Sequence, residues 1–191
     1  MQERKFEFIV IGGSAGSIGV AIQMIPALSG RFQVPILFVL HRNASSSSGF
    51  LSDILQPRTP LRIKEAEEKE KICPGTVYVA PADYHLLVET DFTFSLDASE
   101  KVHYSRPSID VTFESLAAHY GEKLLGILLT GANADGARGM AEIARAGGLT
   151  IAQNPATAEV PTMPQAAINT GMVHHVFSTS EIISFLNDLV D

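Results

Sequence analysis

The feature that most constrains the fold is Val34–Leu40, seven residues without a polar side chain that stop at His41. The run has strand length, far short of the ~18–20 apolar residues that cross a bilayer. It lacks the alternation of a strand with one wet face, so it reads as a strand buried on both faces, as in parallel sheets. Phe6–Ile11, Leu124–Leu129, Leu149–Ala152 and Val173–Phe177 read as further strands. Between them lie stretches of helical spacing. Ile18, Ala21, Ile22, Ile25 and Leu28 form one apolar stripe, with Pro26 expected to kink or end the helix. Ser108–His119 has an N-cap serine, apolar Ile109, Val111, Phe113, Leu116 and Ala117, and Gly121 as its stop. Phe50–Leu55, Ala137–Ala146, Pro164–Asn169 and Glu181–Val190 complete the helical set. Residues Leu61 to Tyr104 break into short runs, Leu61–Ala66, Thr76–Ala80, His85–Glu89, Phe92–Leu96 and Lys101–Tyr104, and the alternation in Phe92–Leu96 suggests a half-exposed hairpin. The expected class is α/β: three layers, α/β/α, with a mostly parallel central sheet of about seven strands and a small antiparallel hairpin.

A chain of 191 residues that is 46% hydrophobic and 18% charged buries roughly 70% of its unfolded surface. A single domain over 1–191 is the expectation. The formal charge of −7 opposes counterion release onto phosphates, so nucleic acid is not an expected partner. Cys73 is the only cysteine and forms no internal disulfide. Phe6–Ile11 runs directly into Gly12-Gly13 with no secretory pattern, so a cytoplasmic protein without membrane insertion is expected.

In parallel sheets the functional loops lie beyond the carboxyl ends of the strands. Gly12-Gly13-Ser14-Ala15-Gly16 is such a loop and fits G-x-S-x-G between strand and helix, where a nucleophile elbow would sit, although a plain Gly-Ser turn has the same sequence. The helix start after it would offer N–H groups to an oxyanion. Dinucleotide binding fits poorly, because Ser14 and Ser17 occupy the second and third glycine positions of G-x-G-x-x-G and no acid ends the second strand. Of six histidines, His41 ends the second strand and could face Ser14, while His85 follows Pro81-Ala82-Asp83 and could line the same cleft. Asp135 follows the strand Leu124–Leu129 and reads either as a helix N-cap or as the acid that orients an imidazole. Two triads are open: Ser14, Asp135 and His174 or His175, or the preferred Ser14, His41 and Asp135, one group from each of three strand ends. No compact His/Cys/carboxylate cluster suggests a metal, and no cofactor is expected.

With these residues in place, the chain resembles the catalytic domain of the CheB-type protein-glutamate methylesterases of bacterial chemotaxis. The resemblance rests on Ile11-Gly-Gly-Ser14-Ala-Gly, on His41, and on Gly75-Thr-Val-Tyr-Val-Ala-Pro81 with His85. It continues through Arg106-Pro-Ser-Ile-Asp110, Leu129-Thr-Gly with Asp135-Gly136, and Thr150-Ile-Ala-Gln-Asn154 with Met163-Pro164. It implies a Ser14 nucleophile, His41 as base and then acid, and Asp135 as orienter, with Ala15, Gly16, His85, Arg106 and Ala132 as oxyanion or substrate-binding positions. The implied reaction is hydrolysis of glutamate γ-methyl esters on methyl-accepting chemotaxis receptors, with glutamine deamidation as a related activity. Arg42, Arg106 and Arg138, near the proposed rim loops, either would guide acidic receptor helices or are solvated surface residues and local ion pairs.

The chain departs from the family pattern at Ala15 and Ser17, where Thr and Gly are common, and at Ala132 and Asn133, where Met and Gly are common. Backbone oxyanion donors survive such changes and side-chain contributions need not. A catalytically impaired receptor-binding adaptor of the same fold is therefore the alternative. No receiver domain fits before the first strand, so the expectation is a free-standing esterase that needs no phosphorylation for access.

Overall fold

A computed structural model describes residues 6–41 and 49–190. The chain enters at the middle of its sheet. β1 (Phe8–Gly13) is fully buried, and period-two alternation sends Ile9 and Ile11 to one face and Phe8 and Val10 to the other. β1 pairs in parallel with β2 (Ile36–Leu40) on one side and β7 (Leu124–Leu128) on the other. β3 (Arg62–Glu65) and β4 (Thr76–Val79) extend the β2 side, and β8 (Leu149–Gln153) and β9 (His175–Phe177) the β7 side. The result is a seven-stranded sheet in the order β3-β4-β2-β1-β7-β8-β9, parallel throughout. The chain thus builds one half from β1, with β4 inserted between β2 and the edge strand β3, and then returns to build the other outward. Such a reversal of strand order opens a crevice at the carboxyl ends of the central strands.

Helices cover both faces. On one, Ile9, Ile11, Phe38 and Ile127 pack against α1 (Ser17–Met24), α2 (Phe50–Leu55) and α6 (Thr179–Asp188) through Met24, Leu55 and Ile182. On the other, Val10, Val39 and Leu128 meet α3 (Ile109–Tyr120), α4 (Ala137–Arg145) and α5 (Thr162–Asn169) through Phe113, Met140 and Met163. The stripe Ile18–Leu28 does not stay α-helical to its end. Pro26 lacks an N–H, and the helix tightens into a 3-10 turn over Ile25–Ala27. Among the described residues, no helix is long and apolar enough to cross a membrane.

The hairpin consists of β5 (His85–Val88) and β6 (Phe94–Asp97), antiparallel and outside the main sheet. It is tied to α3 where the Val88 amide donates to Ser115 Oγ at 2.9 Å. Lys101–Tyr104, read from sequence as another extended run, is a reversal instead. Val102 and Ser105 exchange backbone hydrogen bonds of 3.1 and 2.9 Å. Between them His103 and Tyr104 stand at φ 48° and 62°. A two-residue turn of type I′ requires positive φ at both central positions, which Gly and Asn accept far more readily than these side chains.

Candidate active site

The sheet hydrogen bonds continue past the strand ends and bring three loops to one rim. The His41 amide donates to Gly13 O at 3.1 Å, Leu129 N to Gly12 O at 2.8 Å, and Ser14 N to Thr130 O at 3.0 Å. The turn after β1 reverses sharply at Gly16, which has φ 81° and precedes the first turn of α1. Its carbonyls point inward, where Ser17 Oγ and N donate to Ser14 O and Thr130 Oγ1 donates to Ala15 O. The amides of Ala15 and Gly16 and the half-buried Ser14 hydroxyl take no partner among the described residues. Peptide geometry opposes N–H to C=O, so turning the carbonyls in leaves these donors available to a ligand.

His41 and Asp135 meet although 94 residues separate them, with His41 Nε2 2.8 Å from Asp135 Oδ2. Asp135 is 1% exposed and accepts four hydrogen bonds. Besides His41, Ile109 N donates at 2.7 Å, Ser108 Oγ at 2.9 Å and Asp110 N at 3.0 Å. Three of these donors form the start of α3, so the carboxylate occupies the positive end of that helix. Burial opposes its ionisation, but the His41 hydrogen bond and the amides of Asp110 and Ile109 prevail and hold the carboxyl below its ordinary value. An ionised carboxylate only accepts, so the proton of the neutral imidazole lies on Nε2 and the lone pair on Nδ1. The Ser105 hydroxyl approaches that nitrogen at 3.4 Å.

Asp135 does not cap the helix that follows it. That role falls to Asp110, whose Oδ1 accepts from Gly136 N at 2.9 Å and Gly139 N at 2.7 Å at the start of α4. Each aspartate therefore caps the other's helix. Close approach is possible because position 139 is glycine: a Cβ there would lie 2.5 Å from Phe113 Cβ and 3.2 Å from the Asp110 backbone. Burial pushes the Asp110 carboxyl up, and the neighbouring Asp135 charge adds to the rise.

Ser14, Ala15, Gly16, His41 and Ser105 line one open cleft of about 560 Å³, within the range that holds a ligand or side chain. Lys101, Arg106, Asp83 and Glu159 put both signs of charge on its walls.

The structure thus brings His41 and Asp135 into contact and places Ser14 in the cleft that His41 faces. It makes no hydrogen bond between Ser14 and His41, whose Nδ1 meets Ser105 instead. Ala15 and Gly16 line the cleft as expected of oxyanion positions. His85 is not brought there: it is 1% exposed, with Nε2 donating to Glu100 O at 2.9 Å and Nδ1 accepting from Ser108 N at 3.1 Å. Both ring nitrogens are consumed in joining the hairpin to the start of α3. Ala132 is exposed and outside the cleft lining. Arg106 reaches the cleft, yet its Nη1 donates to Ala98 O and Ser99 O at 2.7 Å each, bracing the loop after β6. Arg138 is turned to the outer face of α4, where it pairs with Glu114, and Arg42 lies outside the described residues. His175 begins β9 at the sheet edge, away from the cleft.

Sequence reasoning missed Ser105 and the cap exchange of Asp110. The signal for the latter was present in two acids, Asp110 and Asp135, each beside a helix start on neighbouring elements. Ser105 had none, since its position depends on the reversal before it.

Comparison with known proteins agrees with this architecture. The family model described as CheB methylesterase matches residues 9–186. A protein of Leptospira interrogans named putative protein-glutamate methylesterase/protein-glutamine glutaminase is 48% identical over 177 residues, 93% of this chain and 91% of that protein. Protein-glutamate methylesterase FrzG of Myxococcus xanthus is 36% identical over 97% of this chain, which spans 55% of FrzG. The crystal structure of the Thermotoga maritima CheB methylesterase catalytic domain superposes with a TM-score of 0.91 at 33% identity, covering 97% of this chain and all of that one. With the strand order, the elbow after β1 and the paired imidazole and carboxylate on one rim, these matches establish that the chain belongs to the CheB methylesterase family.

Proposed function

We propose that the protein hydrolyses glutamate γ-methyl esters on methyl-accepting chemotaxis receptors through Ser14, His41 and Asp135. Ser14 Oγ attacks the ester carbonyl carbon as its proton passes to His41 Nδ1. The carbonyl oxygen becomes an oxyanion against the amides of Ala15 and Gly16. Asp135 holds the imidazole by Nε2 and stabilises the cation formed. His41 then returns the proton to the departing methoxy oxygen, methanol leaves, and an acyl-Ser14 ester remains. Water, deprotonated by Nδ1, cleaves that ester and frees the glutamate carboxylate and Ser14. A glutamine amide enters the same cycle with ammonia leaving.

Before attack Ser105 must yield Nδ1 to Ser14. The observation that carries this reading is the imidazole whose proton position is set by a buried carboxylate, with its lone pair facing the cleft that holds a hydroxyl and two amides without partners among the described residues. The test is methanol release from methylated receptor. Ser14→Ala is expected to lower it by at least 10³-fold, and release that persists in the variant would overturn the reading. A second reading, a receptor-binding adaptor of impaired activity, draws on the missing Ser14–His41 hydrogen bond. It predicts receptor binding by the parent chain with neither methanol nor ammonia released.

A further inference from the structure

The reversal at Val102–Ser105 carries a feature that the hydrolytic machinery leaves unused. Tyr104 is 96% exposed, against 49% for Phe92, the next most exposed large apolar side chain among the described residues. The ring therefore contributes almost nothing to the core. It is held there by a backbone that its own residue type disfavours, since Tyr104 and His103 both adopt left-handed φ. His103 turns back to the fold, its Nε2 3.9 Å from Asp110 Oδ2, whereas the strained φ of Tyr104 brings no packing return, which points to a role outside the fold. The position is specific, because the next residue, Ser105, touches the base nitrogen of His41 and Tyr104 itself lines the Ser14 cleft. Lys101, at the base of the same reversal, also lines the cleft and has no ion-pair partner among the described residues.

We propose that Tyr104 is a substrate contact that selects esters carried on a polypeptide, its ring packing against the residues that flank the modified glutamate. This rests on the esterase reading. The ester group reaches only the floor of the cleft, beside Ser14 and His41, so a free methyl ester and a polypeptide-borne one are equivalent there. Discrimination must come from the rim, and an aromatic ring supplies wide apolar area at small loss of side-chain entropy. In apo protein the ring stands in water, and the polypeptide removes it from water on binding.

The experiment compares two substrates, a receptor fragment bearing glutamate γ-methyl esters and the small ester N-acetylglutamate γ-methyl ester. Tyr104→Asn removes the ring with a residue that tolerates left-handed φ, so the turn survives, and Tyr104→Phe keeps the ring. Tyr104→Asn is expected to lower the ratio of kcat/KM for the receptor fragment to kcat/KM for the small ester about tenfold, through KM for the fragment, and Tyr104→Phe to keep that ratio near the parent's. Equal effects on both substrates, or none on either, would overturn the proposal. Binding of the methylated fragment is also measured in a Ser14→Ala background, where Tyr104→Asn should weaken it by a similar factor. Unweakened binding defeats the Tyr104 proposal whatever the turnover, whereas a parent that binds through Tyr104 but releases no methanol defeats the esterase reading alone.

Discussion

Replacing Asp135 with asparagine preserves side-chain volume and removes the charge and one acceptor oxygen. Each oxygen of Asp135 serves two donors: Oδ1 serves Ser108 Oγ and Asp110 N, and Oδ2 serves His41 Nε2 and Ile109 N. Whichever oxygen becomes an NH2 group, one backbone amide, Asp110 N or Ile109 N, is left facing a donor, and its companion, Ser108 Oγ or His41 Nε2, must turn from donor to acceptor. Hydrogen bonds to a charged group are worth about 1.5–3 kcal/mol each, and a charge at a helix N-terminus adds about 0.3–1 kcal/mol. The carboxylate's own desolvation, absent in the variant, offsets part of this. A net loss of about 3 kcal/mol follows, which in a chain of this size lowers Tm by about 6–12 °C. Circular dichroism melts at neutral pH measure it. The same substitution has a chemical signature. With the NH2 group toward His41 the imidazole must carry its proton on Nδ1 and cannot accept one from Ser14, and methanol release from methylated receptor should fall about 10³–10⁴-fold. A variant that melts within 2 °C of the parent and retains more than roughly a tenth of its rate would refute the four-donor account of Asp135.

Gly139→Ala should destabilise by about 1–3 kcal/mol, read as a lower urea midpoint with unchanged m-value, because its Cβ would drive α4 away from Phe113 and Asp110. Gly19→Ala is its control: nothing lies within 4 Å of the new Cβ, so stability should rise by roughly 0.5–1 kcal/mol, read as a higher midpoint. Asp135 also shapes the acid limb. Its folded value lies below the ordinary 3.8, so its stabilisation is complete above that pH and is lost as the pH falls through the lower folded value. Urea denaturation between about pH 5 and pH 2 should therefore show a steeper decline in the parent than in Asp135→Asn. Parallel declines would contradict the assignment.

Much of the architecture is legible in local pattern. Val34–Leu40 becomes the buried β2, the alternation of Phe8 to Ile11 sorts β1 into two faces, and Ser108 and Gly121 bound α3 as the cap chemistry requires. Ser14, His41 and Asp135 could be placed at one sheet edge because strand ends and loop order are themselves local properties. Their bonding could not. Asp135 beside Gly136 reads as a cap for its own helix, yet it caps α3, and Asp110 returns the exchange only because Gly139 lets the two helices touch. His85 looked like a cleft residue and is instead spent on the Glu100 carbonyl and the Ser108 amide. Arg138 reads either as a rim cation or as a local ion pair, and it pairs outward with Glu114. Side-chain period and burial depend on a few consecutive residues, so the amino-acid order alone determines the layers, the buried strands and the loops that carry chemistry. Which donor meets which acceptor depends on how helices far apart in the chain pack across the sheet. That left to the tertiary structure the proton position on His41, the serine that rests on it, and the exposed aromatic ring at the edge of the cleft.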